Sequence, residues 1–373
     1  MAVAPGVNVL VLNAGSSSLK YSLWTPDGRV AAEGGMDRLT SMASALDRVF
    51  EELGPVRPDA IGHRVVHGGA RFTMPVRVTD EVEQGIDALS RLAPLHNPHN
   101  LEGIRAARRR LPEVPQVAVF DTAFHHTLPA RAYTYAIPFD LAEEHGIRRY
   151  GFHGISHRYV SGRFAEITGR PLPELRLITC HLGNGCSMCA IDRGISVDTS
   201  MGMTPLEGLI MGTRSGDLDP GAIPHLFAAH AVAPADLSRL LNSKSGLLGI
   251  SGLSNDMRDL LRAAAGGHAR AGLAVEAFCY RARKYLGAYL AALNGADALI
   301  FTGGIGENAP EIRARICADL DRLGITVDDA ANAEKARPER QIGFDRTAVW
   351  VVPTREDLLI AQETIACLIP RRA

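Results

Sequence analysis

The chain has few of the features that mark membrane, secreted or nucleic-acid-binding proteins. No segment approaches the ~20 consecutive apolar residues that span a bilayer, and the short apolar run near the start meets a polar loop at Asn13, so no membrane contact is expected. The formal net charge is −1, which provides no basic surface for nucleic acid. Six unevenly spaced cysteines do not make a disulfide framework. These absences predict a cytoplasmic protein.

A length of 373 residues exceeds one typical hydrophobic core and predicts two domains. Segments with strand-like and helix-like periodicity alternate along the chain, which is typical of α/β layers. The predicted strands are residues 7–12, 19–24, 59–66, 76–79 and 116–120, the predicted helices are residues 41–53, 80–93, 100–110 and 272–293, and a second long α/β segment begins at Leu175.

The segment NVLVLNAGSSSLKYSLW, residues 8–24, joins a glycine- and serine-rich loop to a lysine. Backbone amides, hydroxyls and an ammonium group can bind phosphate, but the P-loop spacing GxxxxGK[ST] is absent. After the loop, Leu19, Tyr21 and Leu23 recur with a period of two, which predicts a second strand rather than a helix. The segment is therefore predicted to be a β-hairpin, either a phosphate-binding one or an ordinary N-terminal one.

Residues 175–192 repeat the pattern of residues 7–24. In this alignment Gly183 falls on Gly15 and Ser187 falls on Leu19, and both segments read as strand, glycine-rich turn and strand. A duplication would create two similar halves that face each other across a cleft, each opening with a hairpin of the size that binds phosphate. Because hairpins are common, coincidence is the alternative.

Residues 304–309, GIGENA, fit the pattern GxGxxA, follow a predicted strand and precede a predicted helix with Pro310 in its first turn. Dinucleotide-binding fingerprints usually lie in the first βαβ unit of a domain, whereas this segment follows a complete α/β half. The adenosine or phosphate of a nucleotide is therefore favoured over NAD, and an NAD-dependent oxidoreductase is the alternative from a different enzyme class.

Two patterns suggest metal sites but lack parts of them. Cys186 and Cys189 form C-x-x-C, yet residues three apart on a strand point to opposite faces, so buried core cysteines are favoured over zinc. His153 and His157 lie four apart, but Gly154 stands where a metalloprotease needs glutamate. His153, in its glycine-flanked turn, is interpreted as a hydrogen-bond donor to an anion, with a structural histidine as the alternative.

Three charged residues lie among small or apolar neighbours. They are Arg64 in IGHRVVHGG, Asp121 in VAVFDTAFH and Arg214 in MGTRSGDLDPG. Such neighbours do not form an exposed polar face, and a guanidinium group binds carboxylate or phosphate through paired hydrogen bonds. Arg64 and Arg214 are therefore candidates for anion recognition.

Eight motifs together resemble the acetate kinase family, part of the acetate and sugar kinase, Hsp70 and actin superfamily. They run in order along nearly the whole chain as NAGSSSLKY, HRVVHGG, FDTAFH, YGFHGISH, CHLGNG, MGTRSGDLDPG, FTGGIGENA and PTREDLLIA. The resemblance implies an α/β fold of two ribonuclease-H-like domains of the actin and hexokinase type, related by duplication, with a cleft between them. The implied domains are residues 1–122 plus 358–373 for acyl and phosphate binding and residues 123–357 for nucleotide binding and dimerisation.

The activity implied by the resemblance is reversible, Mg²⁺- or Mn²⁺-dependent transfer of the ATP γ-phosphoryl group to acetate. The products are acetyl phosphate and ADP, formed by direct in-line transfer within a homodimeric enzyme. Acetate is already ionised at pH 7, so its attack needs charge neutralisation rather than a general base. A propionate or butyrate kinase of the same family and a non-catalytic ATP-binding module are further alternatives.

The resemblance also assigns residues. The implied catalytic residues are Asp121, His153, Arg214 and Arg64, of which His153 and Arg214 stabilise the transition state. Acetate would contact Arg64, Val66, Leu95, Phe152 and Pro205, and the metal would be held by Asn13 and Glu356. The nucleotide would contact Ser16, Ser18, Lys20, His181, Asn184, Gly185, Gly303, Gly304, Gly306 and Asn308.

The position of Val66 and three departures from the family pattern lead to further expectations. Val66 follows Arg64 by two residues, so on an extended strand both side chains would point to the same side. The chain departs from the family pattern at Ile155, Arg355 and Asp357. Because Arg355 precedes Glu356, it places a positive charge beside the implied metal ligand.

Overall fold

A computed structural model describes residues 6–15, 18–39 and 41–369. The strands of these residues are β1 (Val9–Ala14), β2 (Ser18–Trp24), β3 (Val30–Asp37), β4 (Ala60–Val65), β5 (Val76–Arg77), β6 (Gln116–Phe120), β7 (Arg176–Leu182), β8 (Cys186–Asp192), β9 (Ile195–Thr199), β10 (Ala298–Thr302), β11 (Arg340–Phe344) and β12 (Ala348–Val351). The helices are α1 (Met42–Leu53), α2 (Asp80–Ala88), α3 (Asn97–Arg110), α4 (Ala130–Tyr133), α5 (Phe139–His145), α6 (Gly154–Thr168), α7 (Ala222–Ala228), α8 (Leu237–Ser243), α9 (Gly246–Ser251), α10 (Met257–Ala265), α11 (Ala269–Leu293), α12 (Gly303–Asn308), α13 (Pro310–Cys317), α14 (Asp329–Ala333) and α15 (Glu356–Leu368).

The strands form two sheets with the same strand order. One sheet runs β3-β2-β1-β4-β6-β5, and the other runs β9-β8-β7-β10-β12-β11. In each, three antiparallel strands are followed by two strands that add in parallel. A short strand then pairs antiparallel at the edge. The predicted duplication is therefore confirmed by topology.

The two glycine-rich hairpins differ in register by one residue. Ala14 pairs with Leu19 in the first hairpin, whereas Leu182 pairs with Cys186 in the second. The second connection is one residue shorter, so the residue opposite Ser187 is His181. The alignment of Ser187 with Leu19 is therefore wrong by one place, because a change in turn length shifts every cross-strand pair after it.

The chain forms two compact units, and the first comprises the described residues up to His126, Gly154–Tyr159 and the residues from Arg355 onward. Its central strand β1 is buried along residues 9–12. Leu10 and Leu12 join a core cluster with residues of α1 and α3, and α15 also packs on β1 and β4. Helix α1 begins where the side chain of Ser41 accepts a hydrogen bond from the Ser44 amide, the usual form of an N-cap.

The second unit comprises Thr127–His153 and Val160–Thr354. Its longest helix, α11, confirms the helix predicted over residues 272–293. The residues predicted to form its buried face are buried, namely Val275, Phe278, Ala282, Leu286, Tyr289 and Leu293. This stripe packs on β7 and β8, as expected when an amphipathic helix covers a sheet.

Most predicted elements are confirmed, with shifts at their ends. Helix α2 gives way to a 3₁₀ turn at Leu89–Arg91, and α3 begins earlier than predicted because Pro98 fits the first turn of a helix. Strand β3 was missed, since its sequence VAAEGGMD contains two glycines and none of its residues is fully buried. The predicted domain boundaries stay a prediction.

Among the described residues, no helix is long and apolar enough to cross a membrane.

Candidate active site

In the first unit, Arg64 and Asp121 meet at the carboxyl ends of two adjacent parallel strands. Arg64 lies near the end of β4, and Asp121 directly follows β6, which pairs with β4. Nη2 of Arg64 donates to Oδ2 of Asp121 at 2.8 Å, and the two side chains are 17% and 1% exposed. Burial alone lowers the pKa of Arg64, but the charges of Asp121 and Glu356 outweigh it and raise that pKa. The guanidinium is therefore permanently charged and already oriented.

The main chain around Asp121 depends on a glycine. The N–H of Gly154 donates to the carbonyl oxygen of Asp121 at 2.9 Å. A Cβ atom on residue 154 would lie 2.2 Å from that oxygen, so a larger residue would break the contact. Gly154, which stands where a metalloprotease motif would have glutamate, thus has a structural role next to the Arg64–Asp121 pair.

Glu356 and Asp357 begin α15 beside this pair. Oε2 of Glu356 lies 3.8 Å from Nε of Arg64, and Oδ2 of Asp357 accepts from Oγ of Ser22 at 3.2 Å. Burial raises the pKa of Glu356 to about 7; Arg64 opposes the shift and the Asp121 carboxylate adds to it. Three acidic side chains therefore share a partly buried region with one arginine.

Arg355, the departure beside Glu356, is directed at an aromatic ring. Its guanidinium carbon lies 5.1 Å from the ring centroid of Trp24, a distance at which a cation is attracted to the face of an indole. Nε1 of Trp24 in turn donates to Oγ of Ser22 at 2.9 Å. The Arg355 charge is thus held by the β2 side chains.

The residues implied to contact acetate fall in both units. Val66 and Leu95 belong to the first unit, and Phe152 and Pro205 belong to the second. Val66 is buried, whereas Leu95 is 54% exposed. The expectation that Val66 continues an extended strand is wrong, because β4 ends at Val65 and Val66 lies in a bend whose N–H donates to Oδ1 of Asn100 at 3.0 Å. Strand alternation therefore does not set the direction of its side chain.

The β1–β2 hairpin of the first unit carries three other implied residues. Asn13 on β1 pairs with Lys20 on β2, and Ser18 begins β2. The side chain of Lys20 is exposed, and its charge acts on both Glu356 and Asp357. Ser16 lies outside the described residues.

In the second unit, His153 lies against the hairpin formed by β7 and β8. It directly precedes α6 and has a left-handed backbone with φ of 56°. Its ring stacks on that of His181 with centroids 4.3 Å apart, and its Nδ1 lies 2.8 Å from Oγ of Ser187. His181 and Ser187 are cross-strand partners. The face of the His153 ring and its Nδ1 edge are therefore both contacted by the same pair of hairpin residues.

Gly185 brings His153 and Arg214 to the same turn. A Cβ atom on residue 185 would lie 3.3 Å from both Cε1 and Nε2 of His153 and 3.5 Å from Nη1 of Arg214. The absence of a side chain in this turn thus leaves the Cε1–Nε2 edge of the imidazole and Nη1 of the guanidinium facing one small space. A guanidinium and an imidazole nitrogen that carries a proton can together bind an anion.

The loop that carries Arg214 is anchored by a half-buried polar network. Nη2 of Arg149 donates to Oε1 of Glu207 at 2.6 Å, and the hydroxyl of Tyr135 donates to the other oxygen of Glu207. Nη1 of Arg214 donates to the carbonyl oxygen of Pro205 at 3.2 Å. The main chain of Pro205, implied as a substrate contact, therefore also positions the Arg214 side chain.

A cavity of about 520 Å³ in the second unit adjoins the turn between β7 and β8 that contains Gly185. Its lining contains three residues that the resemblance assigned to the nucleotide, Asn184, Gly304 and Asn308. It also contains a stretch between α9 and α10 that sequence reasoning missed; the full lining is Gly183, Asn184, Asn255, Asp256, Met257, Arg258, Leu261, Gly304, Ile305, Asn308 and Ala309. The only local signal of that stretch is Asp256, which caps α10.

Of the other implied nucleotide residues, Gly303 and Gly306 are buried in α12, the helix whose Gly304, Ile305 and Asn308 line the cavity. The amide of Gly303 donates to Oε1 of Glu307 at 2.9 Å. The helix follows β10, a later strand of the second sheet, so it does not occupy the position of a dinucleotide fingerprint. The NAD interpretation of residues 304–309 gains no support from this placement.

Cys186 and Cys189 both lie on β8 and are buried. Burial raises the pKa of the Cys186 thiol to about 12, so the thiolate that zinc requires is disfavoured. Within residues 6–15, 18–39 and 41–369, no group of three or more His, Cys, Asp or Glu side chains is placed to hold a metal.

Comparison with known proteins assigns the chain to a family. The acetokinase family profile matches residues 37–362. The acetate kinase of Halothermothrix orenii is 47% identical over 392 aligned residues, covering 96% of this chain and 98% of that protein. The crystal structure of Porphyromonas gingivalis acetate kinase has a TM-score of 0.93 at 44% identity and covers 98% of this chain and 100% of that chain. A propionate kinase from Francisella tularensis has a TM-score of 0.91 at 41% identity and covers 97% and 100%.

Two sheets of identical strand order, each opening with a glycine-rich hairpin, define the two-domain α/β fold of the actin and hexokinase type. Within that class of protein, the chain belongs to the acetokinase family.

Proposed function

We propose that this chain is an acetate kinase, a phosphotransferase with a carboxyl group as acceptor that transfers the γ-phosphoryl group of ATP reversibly to acetate. The observation that carries the proposal is the convergence of His153 and Arg214 on the turn at Gly185, beside a cavity of nucleotide size. Phosphoryl transfer needs donors to the equatorial oxygens more than it needs covalent chemistry from the protein. The names of the relatives agree with this activity.

The two arginines are given different tasks. Arg64, oriented by Asp121 at 2.8 Å, binds the carboxylate of acetate, so that one anion can approach another. Arg214 and His153 donate to the phosphoryl oxygens during in-line transfer. Donors of this kind contribute most in the transition state, where removing one typically costs about 3–4 kcal/mol.

ATP is proposed to bind the 520 Å³ cavity of the second unit. Asn184 is fixed there because its Oδ1 accepts from Nδ2 of Asn255 at 3.0 Å. Its backbone carbonyl also accepts from the amide of Gly212 at 2.9 Å. The phosphates would extend from this cavity along the hairpin toward His181 and Gly185. The hairpin of the first unit, with Ser18 and Lys20, is the second proposed phosphate contact.

The proposed Mg²⁺ would be held by Asn13 and Glu356 together with phosphate oxygens of the nucleotide. The donor chemistry fits, because both side chains offer oxygen ligands, which magnesium prefers. The burial that raises the pKa of Glu356 to about 7 also favours a cation beside its carboxylate. Mg²⁺ usually binds through one or two carboxylates plus substrate phosphates, which agrees with the lack of a larger ligand cluster in the described residues. When bound, it would neutralise phosphate charge.

The test is an acyl phosphate assay on the purified protein. Wild-type enzyme, ATP, Mg²⁺ and hydroxylamine are incubated with acetate, propionate or butyrate, and the hydroxamate is measured. We expect acetate to give the highest kcat/KM. A preference for propionate or butyrate would instead assign one of the sibling activities, and absence of product with all three would favour the non-catalytic ATP-binding alternative.

Two controls make the assay specific. Arg214→Ala is expected to abolish most of the product, whereas Arg163→Ala, which removes an arginine paired with Glu339 at 2.6 Å, is expected to keep it. A thermal-shift comparison of ATP with NAD addresses the oxidoreductase alternative, and stabilisation by NAD alone would support that alternative.

The proposal includes a homodimer, expected from the family resemblance, and a cytoplasmic location, expected from six cysteines whose spacing does not make a disulfide framework. Light scattering after size-exclusion chromatography checks the first, and a mass of one chain would contradict it. The proposed domains remain residues 1–122 plus 358–373 and residues 123–357.

A further inference from the structure

We infer that Ser187 is a positioning residue that sets the orientation and the protonated nitrogen of His153. Ser187 lies on β8 and is fully buried. Its Oγ is 2.8 Å from Nδ1 of His153, a hydrogen-bond distance. The inference rests on the proposed function, since it concerns the histidine assigned to the phosphoryl group.

Two neighbouring strands define the position of the imidazole ring. Ser187 contacts one edge of the ring, and His181, its cross-strand partner on β7, stacks on the ring face with an interplanar angle of 27°. An edge contact and a face contact together leave the ring little freedom to rotate. The opposite edge, with Cε1 and Nε2, then faces the turn at Gly185.

A Ser187 hydroxyl that donates to Nδ1 determines which nitrogen of His153 carries the proton. In a neutral imidazole, one nitrogen donates and the other accepts, and the partner of one nitrogen sets the role of the other. When Ser187 donates to Nδ1, the proton of His153 is on Nε2, the nitrogen that faces Gly185 and Arg214. The ring is thereby a donor at the point where the phosphoryl oxygens are proposed to lie.

A hydroxyl suits this task better than a carboxylate. A carboxylate at this place would stabilise the charged imidazolium, whereas the nearby guanidinium of Arg214 disfavours a second positive charge. Ser187 can donate to a neutral ring and can accept from a protonated one. It therefore holds the ring by a hydrogen bond without adding charge to the site.

The first test is kinetic and uses Ser187→Ala with Ser196→Ala as the matched control. Ser196 is also a fully buried serine of the same sheet, and its Oγ contacts Sγ of Cys189. We expect Ser187→Ala to lower kcat about tenfold, the value of one hydrogen bond, with the KM for ATP changed less than about twofold. Ser196→Ala should keep kcat within about twofold.

A double-mutant cycle with His153→Ala separates positioning from a general structural effect. If Ser187 acts through His153, adding Ser187→Ala to His153→Ala costs no further activity. Fully additive losses would overturn the inference. Should Ser187→Ala fail to fold, Ser187→Cys replaces it in the cycle, and its weaker donor is expected to give a smaller loss of the same non-additive kind.

The second test does not depend on activity. In protein labelled with ¹⁵N-histidine, the signal that disappears in His153→Ala reports the protonated nitrogen. We expect the Nε2–H form in the wild type and a mixture of both forms in Ser187→Ala; the same form in both proteins would refute the inference. A wild type that makes no acyl phosphate would refute the proposed function alone, because the NMR result would still decide the role of Ser187.

Discussion

Arg313 offers the most direct test of how the α12 segment is held in place. It is the largest fully buried side chain among the described residues. Its guanidinium donates to Oδ1 and the carbonyl oxygen of Asn332, both at 2.7 Å, and to the carbonyl oxygens of Gly306 and Glu307 at 2.9 and 3.0 Å. Burial lowers the pKa of Arg313 to about 10, which leaves it charged at pH 7. One side chain thus links α12, α13 and α14.

The expected cost of Arg313→Met follows from these acceptors. Methionine fills much of the same volume but donates no hydrogen bond, so four buried oxygen atoms lose a partner. Each orphaned acceptor costs about 1 kcal/mol or more, so the four together cost about 4 kcal/mol. We therefore expect the free energy of unfolding of the second unit to fall by about 4 kcal/mol.

The two tryptophans allow this loss to be located. Trp24 belongs to the first unit and Trp350 to the second, so urea unfolding followed by fluorescence in a Trp24→Phe background reports the second unit. With a slope of about 2 kcal/mol per molar urea, Arg313→Met should lower the midpoint by about 2 M. The KM for ATP should also rise, since Gly306 and Glu307 belong to the helix that borders the cavity proposed to bind ATP.

Arg315→Met is the matched control, because Arg315 lies on the same helix but is exposed. Exposed substitutions usually change stability by less than about 0.5 kcal/mol. If Arg313→Met and Arg315→Met shift the midpoint equally, the buried guanidinium does not hold these helices together and the reasoning fails.

Three further predictions concern charge, substrate size and pH. Arg64→Ala and Arg214→Ala should each lower kcat at least about 100-fold with the fold intact by circular dichroism, because both guanidinium groups are assigned to the anions in transfer; near-normal turnover of either would remove its assigned role. Wild type should prefer acetate to propionate about tenfold or more in kcat/KM, and Val66→Ala should reduce that preference several-fold by opening room for one methylene; an unchanged ratio would place the acyl wall elsewhere. Burial lowers the pKa of His63 to about 4, whereas an unfolded histidine titrates near 6.5. The folded state therefore binds fewer protons than the unfolded state between these values. As the pH falls from about 6.5 to 4, the free energy of unfolding should decrease by about 1.4 kcal/mol per pH unit. His63→Gln should flatten this part of the stability profile measured by urea titration, and an equal slope in variant and wild type would contradict the assignment.

Hydrophobic periodicity predicted strands and helices well where one face of the element is buried. Strand alternation at Leu19, Tyr21 and Leu23 predicted β2, and the helical spacing from Val275 to Leu293 predicted α11. Both depend on which face of one element is buried, and that is written in consecutive residues. Strand β3 was missed because an edge strand with glycines and exposed residues shows no such pattern.

The motifs named candidate site residues, whose roles stay predictions, but they did not indicate how these residues are arranged. The pairing of Arg64 with Asp121 joins positions 57 residues apart, and that of His153 with Ser187 joins positions 34 apart. Nothing in the sequence around Asn255 suggested that it lines the same cavity as Asn184.

The sequence by itself determined the α/β alternation, the internal repeat and the family, because each is carried by residue order alone. The tertiary structure alone decided that β4 and β6 lie side by side and bring Arg64 to Asp121, and that a hairpin one residue shorter places Ser187 opposite His181 and against His153. Such contacts depend on strand pairing and register, which come from the packing of distant segments and are not encoded near the residues that meet.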